Sequence, residues 1–209
     1  MEAAFSRILV ICTRQLGDVL LTTPLIREAK RLWPEAAIDV LGFSGTLGLL
    51  RGNPDVRELI EVPAGSTWRQ SLPLVKRLWR RYELALVAQY TDRAHLYGWV
   101  AAPVRAGQVP EGQQSWWKRM LLRHSVELGA GHSHVVLEKL RLLSPWMDVA
   151  AQGAIGVRPP PGASLPEDVA ARLTPGYVVL QVPALVAYKQ WPLAHYTRLV
   201  RQLAQRGRL

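Results

Sequence analysis

One cysteine, Cys12, occurs in 209 residues, so a disulfide within the chain is excluded and nothing points to an oxidising compartment. The cell interior is the default expectation. Acidic residues are scarce beside basic ones, 16 against 26, leaving a formal charge of +10. That balance directs attention to anionic partners: nucleic acid, a phosphorylated substrate or an acidic membrane surface. No stretch approaches the ~20 consecutive apolar residues that cross a bilayer, and the opening MEAAFSRILV carries a glutamate and too short an apolar run for a secretory signal. An integral membrane protein is therefore not expected. Glycine-rich phosphate loops are also missing. The turn TRQLGD from Thr13 has neither the repeated glycines of G-x-G-x-x-G nor a P-loop, so the first domain is not expected to hold a nucleotide in the dinucleotide-binding manner. His132 and His134 are separated by a single residue and have no Cys or carboxylate cluster beside them. That spacing does not align ligands on a helix, so a surface or capping role is expected, and no metal.

What is present reads as α/β. With 49% hydrophobic residues the chain can bury one full core and part of a second, since domains run about 100 to 200 residues. Residues 7 to 107 alternate β-rich runs with helix-period segments, the pattern of a parallel sheet flanked by helices. Strands are expected at RILVICT from Arg7, AIDVLGF from Ala37, ELIEVP from Glu58, ELALVAQ from Glu83 and VRAG from Val104. Between the first two, DVLLTTPLIREAKRLWP predicts a helix that bends or restarts at Thr23-Pro24 and closes at Pro34, because proline suits a first helical turn and breaks an interior one. SLPLVKRLWRRY predicts an amphipathic helix with Val75, Leu78, Trp79 and Tyr82 inward and Lys76, Arg77, Arg80 and Arg81 outward. Helical segments follow at SWWKRMLLRH from Ser115 and HSHVVLEKLRLLSP from His132.

The texture changes at Pro145. The expected organisation is a first domain over 1–144, a proline-rich connection over 145–176 and the start of a second domain over 177–209. That last part holds YVVLQV, a buried-type strand, and a helix whose apolar face is Leu193, Tyr196, Leu199, Val200, Leu203 and Ala204, with Gly207 placed to cap it. A parallel strand with its covering helix needs neighbouring strands, and none is apparent after the connection. The second domain is expected to be truncated.

Asp18 stands out because residues between a strand's C-terminal end and the next helix sit where open α/β sheets bind ligands. Gly17 before it suits a sharp turn, and a carboxylate at a helix N-terminus is stabilised by free N–H groups. Position alone leaves two roles open, an N-cap and a catalytic carboxylate.

The run RILVICTRQLGDVLLTTPLIREAKRLWPEAAIDVL, with NPDVRELIEV from Asn53, resembles the opening of glycosyltransferase family 9, the lipopolysaccharide heptosyltransferases. QYTDR from Gln89, SWWKRMLLRH from Ser115 and YVVLQVPALVAYKQWP from Tyr177 are most similar to the heptosyltransferase III branch. The resemblance covers essentially the whole chain. It implies a GT-B fold, two Rossmann-like domains with the acceptor held by the first and an ADP-activated sugar by the second. The implied reaction is metal-independent, inverting transfer of heptose from ADP-heptose to the lipopolysaccharide inner core, with no cofactor beyond that donor. It proceeds in the cytoplasm at the inner face of the inner membrane, on a peripheral protein.

Asp18 matches the family's proposed catalytic aspartate, and Lys189 matches a lysine that meets the donor's phosphates. Arg14, Gln15, Gly17, Thr91, Asp92, Arg93, Lys118 and Arg119 are the expected acceptor-side residues. Asp92 is also expected to cap its helix. Lys118, Arg119 and Arg123 form a basic cluster suited to the phosphates and acid sugars of the core, and Trp116 and Trp117 beside them suit a membrane interface or the core. Two departures from the family pattern stand out. Before Tyr188-Lys189 the chain has Val182, Pro183, Ala184 and Leu185 where the family carries an arginine. It also holds no Asp-Ser or Asp-Thr followed four residues later by a His, which the family carries in the distal part of the second domain as its donor site. Donor binding by the 209 residues alone is expected to be poor. Two other readings use the same residues: a non-catalytic acceptor-binding remnant, and a basic α/β module for nucleic acid, for which no motif is present.

Overall fold

The structure, a computed structural model, describes residues 4–65, 67–112, 116–128, 134–149, 156–160, 162, 164–173, 175–184 and 187–206. The chain forms two compact units, Met1–Pro161 and Gly162–Leu209.

The first unit is a six-stranded, fully parallel sheet in the order β3-β2-β1-β4-β5-β6. Its elements follow the chain: β1 (Arg7–Cys12), α1 (Leu16–Leu20), α2 (Thr23–Leu32), β2 (Ala37–Phe43), β3 (Glu58–Val62), α3 (Trp68–Leu78), β4 (Leu84–Val87), α4 (Asp92–Ala101), β5 (Val104–Val109), α5 (Trp116–Leu121), β6 (His124–Glu127) and α6 (Val135–Leu140). Alternate residues of β1 divide between two cores, as a strand covered on both faces requires. Ile8, Val10 and Cys12 pack with Leu25, Ile26, Ala29, Leu142 and Leu143. Leu9 and Ile11 pack with Leu78, Ala94, Tyr97 and Val100 on the opposite face. Cys12 is buried filler, and burial pushes its thiol pKa up.

The expected break between α1 and α2 is present. Pro24 occupies the first turn of α2, and the Thr22 hydroxyl donates to the Asp18 carbonyl at 2.7 Å. The helix stops at Leu32, ahead of Pro34. Two expectations for the helices of the first unit need correction. α3 ends at Leu78 because Arg80 takes a left-handed φ of 47°. Leu78 and Tyr82 are therefore buried as expected, but Trp79 is thrown outward and is 59% exposed. His124, expected at the end of a helix, instead begins β6, where pairing with the open edge of β5 satisfies its backbone.

Trp146 and Arg158, which lie before and after residues 150–155, are anchored within the first unit. Trp146 meets the rings of Phe5 and Trp33, both at 5.5 Å, and the Arg158 N–H donates to Thr23 Oγ1 at 2.9 Å.

The second unit holds α7 (Glu167–Ala170) and α8 (Leu193–Gln205). Tyr177–Val182, expected as a strand, forms none, and Val179 is 77% exposed. The six strands of the first unit make up the only sheet among the described residues, so this segment has no ladder to join. The expected apolar face of α8 is likewise unburied. Gly207 and Leu185 lie outside the described residues, as does His132, while His134 caps α6 through its ring nitrogen at 3.2 Å from the Val136 N–H.

Candidate active site

Chain order reverses between β1 and β4, the strands at the centre of the sheet. In a doubly wound sheet of this order the loops leaving the C-terminal ends of those two strands diverge and open a crevice. The first loop carries Arg14, Gln15, Gly17 and Asp18; the second carries Gln89, Tyr90, Thr91 and Asp92.

Asp18 does not cap its helix. Gln15 is the N-cap of α1, without a side-chain bond, and Asp18 lies in the first turn, where a carboxylate is still favoured by the exposed N–H groups. Its side chain is 30% exposed and accepts from Arg14 Nε at 3.3 Å. Arg14 in turn lies over the Tyr90 ring at 5.6 Å, joining the two loops. Its pKa is raised, chiefly by interaction with Tyr90 and also by Asp18. Gly17 has an ordinary φ, and a Cβ there would meet nothing within 4 Å. The chain does not need this glycine for its turn, and the space beside it is open.

The second loop is held from below. Gln89, 2% exposed, donates through Nε2 to Thr13 Oγ1 and, at 3.0 Å, to Thr91 Oγ1. The ends of β1 and β4 are thereby tied side chain to side chain. Lys139, 3% exposed, donates to the Ala88 carbonyl at 3.0 Å. Lys118 is not a solvated charge: it is 8% exposed, donates to the Tyr90 carbonyl at 2.7 Å and pairs with Asp92 at 2.8 Å. Asp92 is accordingly not an N-cap either. Thr91 takes that position, and Asp92 opens the helix and faces Lys118. The fold therefore brings Asp18, Arg14, Thr91, Asp92 and Lys118 together through Tyr90.

The remaining expected residues are placed differently. Gln15 is exposed beside the crevice. Arg93 reaches α3, donating to Ser71 Oγ at 2.8 Å and to the Tyr97 hydroxyl at 2.9 Å. Arg119 pairs with Glu127. Lys189 belongs to the second unit, in a short 3-10 turn with its ammonium 5.8 Å from the Tyr188 ring. Gln89, Tyr90 and Lys139 were not among the expected site residues. QYTDR contained the first two, but nothing in the sequence says that Lys139 packs beneath that turn.

A parallel sheet of this order is the doubly wound architecture, and it matches part of the GT-B glycosyltransferase structures. No family model matches the chain. It is similar to lipopolysaccharide heptosyltransferase 3 of Escherichia coli, 29% identical over 202 residues, 91% of this chain and 58% of that protein. It is also similar to lipopolysaccharide heptosyltransferase 1 of Pseudomonas aeruginosa, 26% identical over 215 residues, 96% of this chain and 59% of that protein. Among solved structures, glycosyl transferase family 9 from Veillonella parvula superposes with a TM-score of 0.73 at 18% identity, over 99% of this chain and 62% of that one. Escherichia coli heptosyltransferase WaaC with ADP-2-deoxy-2-fluoro heptose gives 0.69 at 19%, over 96% and 66%. The chain thus spans 58% and 59% of the length of these two curated relatives.

Proposed function

We propose that this chain is the acceptor-binding part of a heptosyltransferase that moves heptose from ADP-heptose to the inner core of lipopolysaccharide. The observation that carries the reading is Asp18: a partly exposed carboxylate at the switch point, steered by Arg14, with open space over Gly17. Similarity to heptosyltransferases supports it.

In the proposed step an acceptor hydroxyl attacks the anomeric carbon of the donor and gives its proton to Asp18. The bond from that carbon to the diphosphate oxygen breaks, the electron pair leaves with ADP, and the configuration inverts. A carboxylate within hydrogen-bond reach supplies about 10² to 10⁴ of such a rate. Arg14 restrains the carboxylate, while Gln89, Lys118 and Lys139 hold the facing loop. Lys189 meets the departing diphosphate as a point charge. No metal is required. The acceptor is anchored in lipid, so the protein works peripherally at the inner face of the inner membrane.

The test is incubation of the longest reading frame that contains these residues with ADP-heptose and core oligosaccharide, followed by mass and NMR analysis. One added heptose with inverted anomeric configuration is expected. Hydrolysis of donor without transfer, or a retained anomer, contradicts the reading.

A further inference from the structure

The outer surface of α3, α4 and α5 exposes large apolar side chains that the fold does not use. Leu96 and Trp99 of α4 are 49% and 50% exposed, and Trp116 and Met120 of α5 are 63% and 74% exposed. Each pair falls at i, i+3 or i, i+4, so each lies on one outward face of its helix. The helices end together. Arg80 N–H donates to the Val100 carbonyl at 2.9 Å, and Arg105 donates to the carbonyls of both Ala102 and Leu121. The left-handed turn at Arg80 therefore sets Trp79 beside the end of α4 that carries Trp99.

Charge completes the surface. Arg80, Arg81 and Arg123 are exposed around these helix ends. Two acids at α5 are engaged by its own cations, Asp92 by Lys118 and Glu127 by Arg119. Tryptophan and methionine held in a rim of arginine suit the boundary of an anionic bilayer, where indole favours the headgroup level and each basic group gains from the surface potential. At its other end the surface reaches the crevice, because Lys118 on α5 bonds to Tyr90 and Asp92 in the β4–α4 turn.

From this arrangement we infer that the α4–α5 face, extended by Trp79, is a docking surface for the anionic lipid bilayer. Trp99 and Met120 enter the headgroup region, and Arg80, Arg81 and Arg123 meet lipid phosphates. The inference rests on the reading above only in that a lipid-anchored acceptor gives the surface its use.

Co-sedimentation of the full chain with vesicles tests it. Vesicles of phosphatidylethanolamine and phosphatidylglycerol are expected to bind the protein, with affinity falling as salt rises, and phosphatidylcholine vesicles to bind far less. Trp99→Ser combined with Met120→Ser is expected to weaken binding about tenfold or more, and Arg80→Glu combined with Arg123→Glu to remove its salt dependence. Both pairs lie on exposed positions, and melting curves check that the fold persists. Equal binding by wild type and the Trp99/Met120 variant overturns the proposal. So does a dimer in solution that this variant dissolves while vesicles fail to bind. Transfer to an acyl-free core oligosaccharide by the longest reading frame that contains these residues, run alongside, separates the two readings: transfer without vesicle binding overturns this surface alone, and vesicle binding without transfer leaves it standing and overturns the reading of the site.

Discussion

Asp39 is fully buried within β2, and its carboxylate is held by the forked guanidinium of Arg57 and by the Tyr82 hydroxyl at 2.7 Å. Burial, then the bond to Asp39, pushes the Tyr82 pKa well above its ordinary value. Arg57 is 43% exposed on its side chain, so water can serve it alone, but the fully buried Asp39 carboxylate without it stays in a medium that solvates it poorly. Arg57→Ala is therefore expected to lose about 3–5 kcal/mol in urea unfolding. The sequence held a trace of this, an acid inside the apolar run AIDVLGF, but its partners come from other parts of the chain. His95 gives a pH signature. It is 1% exposed with Nδ1 donating to the Thr91 carbonyl at 2.9 Å, and burial lowers its pKa below the usual 6.5. Above that value folded and unfolded chains both carry neutral imidazole. Below it the unfolded chain gains a proton that the folded state resists, so stability falls from about pH 6.5 downward until the folded pKa is passed. The melting temperature of His95→Gln should fall less between pH 7 and 5.5 than that of the wild type.

At the scale of elements, close approach of α4 to the sheet depends on Gly98. A Cβ there would stand 2.8 Å from Val87 Cγ2 in β4. Gly98→Ala raises helix propensity but forces the helix outward, and an overpacked contact of this kind costs about 1–3 kcal/mol. A lower denaturation midpoint is the expected outcome. The elements themselves were legible where periodicity was clean: β1, the Thr23-Pro24 restart and the Pro34 stop are where the residues put them. Legibility failed where a distant element decides the outcome. Trp79 fits the apolar face of α3 in sequence, and only the turn at Arg80 excludes it. His124 continues a helical pattern, and only the edge of β5 makes it strand. Lys118 reads as one of a basic cluster for the acceptor's phosphates, and only the β4–α4 turn shows that a carbonyl and a carboxylate already engage it.

For the whole molecule, two loops that the sequence separates by some seventy residues meet because β1 and β4 are neighbours in the sheet. Asp18 was found from its place after a strand and from the resemblance; its partnership with Tyr90 through Arg14 needed the topology. The charge of +10 is divided between inner tasks, as at Lys118 and Lys139, and a solvated surface. The central claim is that Asp18 is the base. Its most direct test is heptose transfer from ADP-heptose by the longest reading frame that contains these residues, as wild type and as Asp18→Asn. Asparagine keeps the size and the first-turn position but cannot take the proton. A rate lower by about 10² or more, with an unchanged melting temperature, is expected. Turnover at the wild-type rate by Asp18→Asn would contradict the account.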